Sequence, residues 1–116
     1  MPEEVPQALA NLLKLVGGPR DGALLRYSLG AEYLKTERAQ DAIVHLTQAV
    51  AWDPRYSAAW KLLGKAQTVA GDAQGALASY REGIRVAEAR GDIQAAKEMR
   101  VFAKRLEQSA SDPPTG

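Results

Sequence analysis

AWDPRYSAAWKLLG, residues 51–64, carries two tryptophans, an Asp-Pro pair, and Gly64 in the middle of what otherwise reads as a helix. Proline lacks the N–H that a helix interior uses, so Pro54 marks the end of one helix and the approach to another. Glycine inside a helix costs about 1 kcal/mol relative to alanine. Gly64 therefore needs a packing reason.

Working outward, apolar residues recur at three and four throughout the chain. Leu24, Leu25, Leu29, Tyr33 and Leu34 mark a helix from Gly22 to about Lys35. Ala39, Ala42, Ile43, Leu46, Ala49 and Val50 mark a second, for which Thr36 is the expected N-cap and after which Pro54 falls. Ala59, Trp60, Leu63, Ala66, Gln67 and Ala70 form a third, stopping at Gly71. Ala73, Ala76, Leu77, Tyr80, Ile84 and Ala87 form a fourth, with Asp72 as its cap. Gly91-Asp92 repeats the Gly71-Asp72 signal and opens a last helix bearing Ile93, Ala96, Met99, Phe102, Ala103 and Leu106 on one face. No segment alternates with period two over a strand's length, so the fold class is all-α.

The third helix repeats the first. A shift of 34 residues places Leu29 on Leu63, Gly30 on Gly64, Ala42 on Ala76, Leu46 on Tyr80 and Ala49 on Gly83. The expectation is two helical hairpins in which a bare glycine on the first helix faces very small residues on the second, so that the backbones approach closely. A bulkier residue there would overpack the contact, at about 1–3 kcal/mol.

This pattern resembles the tetratricopeptide repeat (TPR) family. Leu29, Gly30, Tyr33, Ala42, Leu46, Ala49 and Pro54 in one copy, and Trp60, Leu63, Gly64, Ala76 and Tyr80 in the other, fill the family's positions over residues 23–90. Departures are Arg26 in place of tryptophan, Gln67 in place of tyrosine, Gly83 in place of alanine and Glu88 in place of the closing proline. The resemblance implies a TPR-like superhelix of antiparallel helix pairs, about five to six helices in all. Repeats would span about 23–56 and 57–90 within a TPR-like domain at 21–108. A third copy would need Leu and Gly where Lys97 and Glu98 stand, so residues 92–108 read as a capping helix. Residues 1–20 are an N-terminal segment in which PQALANLLKLV, 6–16, forms a short helix over the other flank, ended by Gly17-Gly18-Pro19. The tail 109–116 has nothing to bury and is expected to be disordered.

Composition excludes several classes of function. The 116 residues make one domain. With 15 Lys+Arg against 14 Asp+Glu, the net charge of +1 offers no basic field for a nucleic acid. The absence of cysteine removes disulfides, thiolate zinc sites and thiol chemistry. The N-terminus is acidic rather than basic, and ALANLLKLV is too short to span a bilayer, so the chain is expected to be cytoplasmic.

In the family, the first helix of each repeat lines a concave groove that holds a peptide or a helix. Carried over, the groove here would be lined by Leu24, Tyr27, Ala31, Leu34 and Lys35, and by Ala58, Lys61, Leu62, Lys65 and Thr68. Such a groove is apolar with a small basic cluster, suited to a segment joining apolar side chains to one or two carboxylates. The lysine-rich clamp by which some TPR domains grip chaperone tails is missing, since Tyr27, Ala31 and Leu62 stand at its places.

Catalysis finds little support. His45 lies one and two turns after Asp41 and Glu37 in the second helical pattern, a spacing open to metal binding or proton transfer, but no nucleophile, phosphate loop or second histidine accompanies it. Acidic residues in a first helical turn already complement its dipole. Trp60 reads as core, Trp52 as packed into the same inter-repeat turn, and Arg26 as laying its stem on the N-terminal segment. Lys97, Arg100, Lys104 and Arg105 face outward on the last helix, but Glu98 and Glu107 dilute a membrane-binding charge. The resulting expectation is a protein-protein interaction module without cofactor, metal or catalytic residue, monomeric or weakly dimeric. The alternative is a self-associating structural protein assembling through its groove or helix ends.

Overall fold

The computed structural model describes residues 5–111, of which 110 and 111 as backbone only. Six helices follow in order: α1 Gln7–Leu13, α2 Ala23–Lys35, α3 Ala39–Trp52, α4 Ser57–Val69, α5 Ala73–Ala89 and α6 Ile93–Ser111. No strand occurs among the described residues. α1 is shorter than the 6–16 pattern, because turns begin at Lys14 and Gly17 adopts φ 83°. α6 runs three residues past 108 to Ser111, so the tail expected to be disordered begins inside a helix; residues 112–116 lie outside those described.

Three helix ends share one device. Arg38 N–H donates to Tyr33 O at 2.9 Å, Asp72 N–H to Gln67 O at 2.9 Å and Asp92 N–H to Ala87 O at 2.8 Å. Each bond closes over a residue with positive φ: Glu37 at 60°, Gly71 at 86° and Gly91 at 75°. This left-handed turn lets the chain reverse while satisfying a carbonyl orphaned at the helix end. It also overturns the reading of Thr36 as an N-cap. Thr36 ends α2, its hydroxyl donating back to Tyr33 O at 3.0 Å, and Arg38 occupies the N-cap position of α3 with no side-chain cap. Asp72 does cap α5, accepting from Gly75 N–H at 2.9 Å, and Asp92 accepts from Ala95 N–H at 3.3 Å.

α2 pairs with α3, and α4 with α5; α3 stacks on α4, and α5 on α6. Leu29, Leu46, Ala42, Ala49, Ala59 and Ala66 are fully buried between the first helices, and Ala76, Ala87 and Met99 in the second half. Complete burial of a leucine such as Leu29 or Leu46 contributes roughly 1.5–3 kcal/mol. The mid-helix glycines are tight, but against large residues rather than small ones. A Cβ on Gly30 would meet the isobutyl group of Leu46, and one on Gly64 the ring of Tyr80. Ala42 and Ala76 lie buried in the clusters beside them, while the large side chain 16 residues after each glycine takes the space that hydrogen leaves free. Gly83, at the place of Ala49, is likewise filled against, here by Met99 Sδ at 2.5 Å from an ideal Cβ.

The array curves. α2 touches α4 and α4 touches α6, whereas α3 and α5 do not touch each other. Helices that approach on one side and part on the other leave the first side concave, so α2, α4 and α6 line the inside. The molecule is 19 Å in its thinnest dimension, about two helix diameters.

Candidate binding groove

Residues at three, four and seven positions apart share a helix face. On α4, Ala58, Lys61, Leu62, Lys65, Thr68 and Val69 form such a stripe on the inner side. Between it and the neighbouring helices lie two hollows. One, of about 650 Å³, is bounded by this stripe together with Tyr27 of α2, Tyr80 of α5 and Phe102 of α6. The other, of about 530 Å³, is bounded by Ala31, Leu34, Lys35, Glu37 and Ala39 together with Leu62, Lys65 and Val69. Leu62, Lys65 and Val69 are common to both, which makes the hollows one furrow along the concave face.

Aromatic pairs support its walls. Tyr27 and Tyr56 have ring centroids 5.0 Å apart, and Tyr80 and Phe102 5.5 Å apart, each pair tilted as aromatic quadrupoles favour. Burial pushes the Tyr56 and Tyr80 hydroxyls above their ordinary range, so both remain protonated. Thr68 donates its hydroxyl to Gly64 O at 2.8 Å.

The basic cluster is reduced by its own neighbours. Lys61 pairs with Glu98 of α6, whose carboxyl Lys61 and then Gln94 hold below the usual range. Lys35 pairs with Glu32 at 3.1 Å. Lys65 has no ion pair among the described residues. Of the lining residues named from the sequence, Tyr27, Ala31, Leu34, Lys35, Ala58, Lys61, Leu62, Lys65 and Thr68 are thus brought together, while Leu24 is 69% exposed and borders neither hollow. Glu37, Ala39, Val69, Tyr80 and Phe102 were not anticipated as lining. The repeat shift could have found two of them, since Val69 is 34 residues after Lys35 and Phe102 is 34 after Thr68.

The sole histidine sits elsewhere, in a polar cluster where the N-terminal segment meets α2 and α3. Arg26 grips Asp21 with two bonds of 2.9 Å, Nε to Oδ1 and Nη2 to Oδ2, and Gly17 N–H donates to the same carboxylate at 2.8 Å. Arg26 Nη1 lies 3.2 Å from His45 Nδ1. An arginine nitrogen can only donate, so Nδ1 accepts and the ring is neutral with its proton on Nε2. The ring stacks on Tyr33 at 5.4 Å, and the guanidinium also lies 5.1 Å from the Trp52 ring. Bonding to Arg26, then the Gly17 N–H, lowers the Asp21 pKa from 3.8 to about 2. Burial, then Arg26, lowers that of His45. Glu37 lies before α3 in the left-handed turn, so the helical line of Glu37, Asp41 and His45 does not form, and Asp41 pairs with Arg38 at 2.7 Å. Trp52 is 48% exposed beneath Arg26 rather than packed into the inter-repeat turn. Trp60 is partly buried against the first core cluster and donates Nε1–H to Pro54 O at 2.8 Å.

Paired helices stacked with one concave side define a helical-repeat protein with an open inner furrow. The tetratricopeptide repeat family model matches residues 33–100. The chain belongs to the tetratricopeptide repeat family. It is 45% identical over 101 residues to a TPR repeat-containing protein of Pseudomonas aeruginosa, covering 87% of this chain and 96% of that one. Among solved structures, a Bordetella parapertussis protein determined in solution is similar with a TM-score of 0.77 at 37% identity, covering 90% of this chain and 91% of the other. A tetratricopeptide repeat domain protein from Salinibacter ruber gives 0.73 at 26% identity, covering 84% and 98%. TPR domains are in general protein-protein interaction modules and are in general not enzymes.

Proposed function

We propose that the protein is a TPR adaptor, without chemistry of its own, whose concave furrow binds a segment of a partner protein. Residues 21–108 form the repeat unit in this reading, with α6 as its closing helix. The observation that carries it is the line Leu34, Leu62, Val69 and Phe102, interrupted by one cation, Lys65, that has no ion pair among the described residues. Val69 is 63% exposed, a desolvation gain left for an incoming apolar side chain. Lys65 supplies a charge-assisted contact for one carboxylate of that segment. Lys61, already joined to Glu98, contributes its stem rather than its charge. No described helix is long and apolar enough to cross a membrane, and a cytoplasmic location accords with this function.

The experiment places a photo-crosslinking side chain at Val69 in the living source cell. The expected result is a discrete protein adduct that disappears in Lys65→Glu while helical circular dichroism is unchanged. An adduct that survives Lys65→Glu removes Lys65 from the recognition, and the absence of any adduct removes the furrow from the binding site. An adduct of twice the chain's own mass points instead to assembly of identical copies.

A further inference from the structure

The N-terminal segment is fastened to the repeats by few contacts. α1 touches α2 and no other helix. Its anchor is Leu9, 1% exposed, in the same apolar cluster as Leu25 and Leu29, with Leu12 and Leu15 partly buried beside it. α1 has 7 residues and no capping side chain at its start. Isolated helices shorter than about 12 residues do not persist in water, so α1 depends on being held in place. Among the described residues, one ion pair joins this segment to the helices: Asp21 with Arg26.

We propose that residues 5–22 are a releasable strap over the flank of the first repeat, latched by the Arg26 fork, and that protonation of His45 releases it. Asp21 Oδ2 receives both the Gly17 N–H and Arg26 Nη2–H, and the same guanidinium reaches His45 of α3. One side chain therefore ties the segment to both helices of the first hairpin. A proton on Nδ1 removes the acceptor and sets a second cation against Arg26. The groups facing His45 are Arg26 and the Tyr33 ring from α2, Asp21 from the segment, and Asp41 from its own helix; α1 carries no titratable side chain. Burial and Arg26 oppose the proton, while Asp41 and Asp21 favour it. Once charged, the ring has a carboxylate one turn back towards which to move, Asp41, which Arg38 also holds at 2.7 Å. Arg26 then keeps α3 only through its contact with the Trp52 ring. The segment is left with the apolar contacts of Leu9, Leu12 and Leu15 and with an Asp21–Arg26 pair whose guanidinium has lost its hydrogen bond to α3, and lifting it uncovers the flank on which a preceding repeat would stack.

Amide hydrogen exchange of the whole chain, followed by NMR at about pH 7 and about pH 5.5, tests this across the range in which histidine titrates. After correction for intrinsic exchange rates, protection of the hydrogen-bonded amides from Ala10 to Gly18 is expected to fall about five-fold or more on acidification, with α4 and α5 unchanged, as local opening requires. The fall should share its midpoint with the His45 ring resonances. In His45→Gln, whose amide oxygen can accept from Arg26 without titrating, it should vanish. Protection that does not change with pH, a midpoint unlike that of His45, or an equal fall in His45→Gln would each overturn the proposal.

Discussion

The ring of Tyr80 occupies the space that a Cβ on Gly64 would need, with Cε1 only 2.5 Å from that position. Leu46 stands in the same relation to Gly30 one repeat earlier. Each hairpin is thus keyed by a missing side chain on its first helix and a large one on its second. The key is the same in shape but not in chemistry, an isobutyl group in one copy and a phenol in the other.

Gly64→Ala tests the key. Alanine gains about 1 kcal/mol of helix propensity, but overpacking a buried contact costs about 1–3 kcal/mol. Tyr80 is 3% exposed and its ring is hemmed in, so the larger penalty is expected. Urea unfolding should show a net loss of about 1–2 kcal/mol. A variant as stable as the parent would mean that the ring can move aside.

Glu37 carries a β-carbon in the left-handed region, where its counterparts Gly71 and Gly91 carry none. A left-handed conformation costs an ordinary residue roughly 1–2 kcal/mol, against about 0.5–1 kcal/mol for the extra freedom that glycine has in the unfolded chain. Glu37→Gly should therefore raise stability by up to about 1 kcal/mol, and Gly71→Ala should lower it by a similar amount. Thermal unfolding of the two variants reads both signs.

Much of this was legible in the sequence because it rests on local chemistry and on one period. The hairpins, the Asp72 cap and the α4 stripe follow from spacing. Thr36 was misread because threonine before an apolar run signals a cap, and nothing nearby marks Glu37 as the left-handed residue that closes α2 instead. The contact of Gly30 with Leu46 was misassigned to small neighbours because register along a helix does not fix which of two successive inward residues meets the partner's gap. The neutralisation of Lys61 by Glu98 and the cluster around Arg26 join residues 37 and 19 positions apart, and no periodic pattern encodes such pairings.

Acid should weaken the fold in two separate ranges. His45 is lowered in the folded chain by burial and Arg26, so the unfolded chain binds the proton first. Its contribution is complete above the unfolded value of about 6.5 and is lost as pH falls through the lower folded value. Asp21 is lowered to about 2, so its contribution is complete above 3.8 and is lost as pH falls towards about 2. Melting temperatures measured against pH should accordingly show His45→Gln flattening the slope below neutrality. Asp21→Asn should melt below the parent at neutral pH and converge with it near the lower limit; parallel curves for either variant and the parent would contradict the assignment.

The two tryptophans should separate spectroscopically. Trp52 is 48% exposed beside the Arg26 guanidinium, whereas Trp60 packs on the first core cluster and bonds Pro54 O. Trp60→Phe leaves Trp52 as the reporter, and its emission should lie to the red of that from Trp52→Phe and be quenched more strongly by acrylamide. The same substitution removes one hydrogen bond to a carbonyl, an effect of about 0.5–1.5 kcal/mol, and part of a buried aromatic surface. Trp60→Phe should therefore destabilise by about 1–2 kcal/mol, while Trp52→Phe, which keeps a ring for Arg26 to face, should stay within about 1 kcal/mol of the parent. If the two spectra coincide, Trp52 is not on the surface and the contact with Arg26 is formed differently.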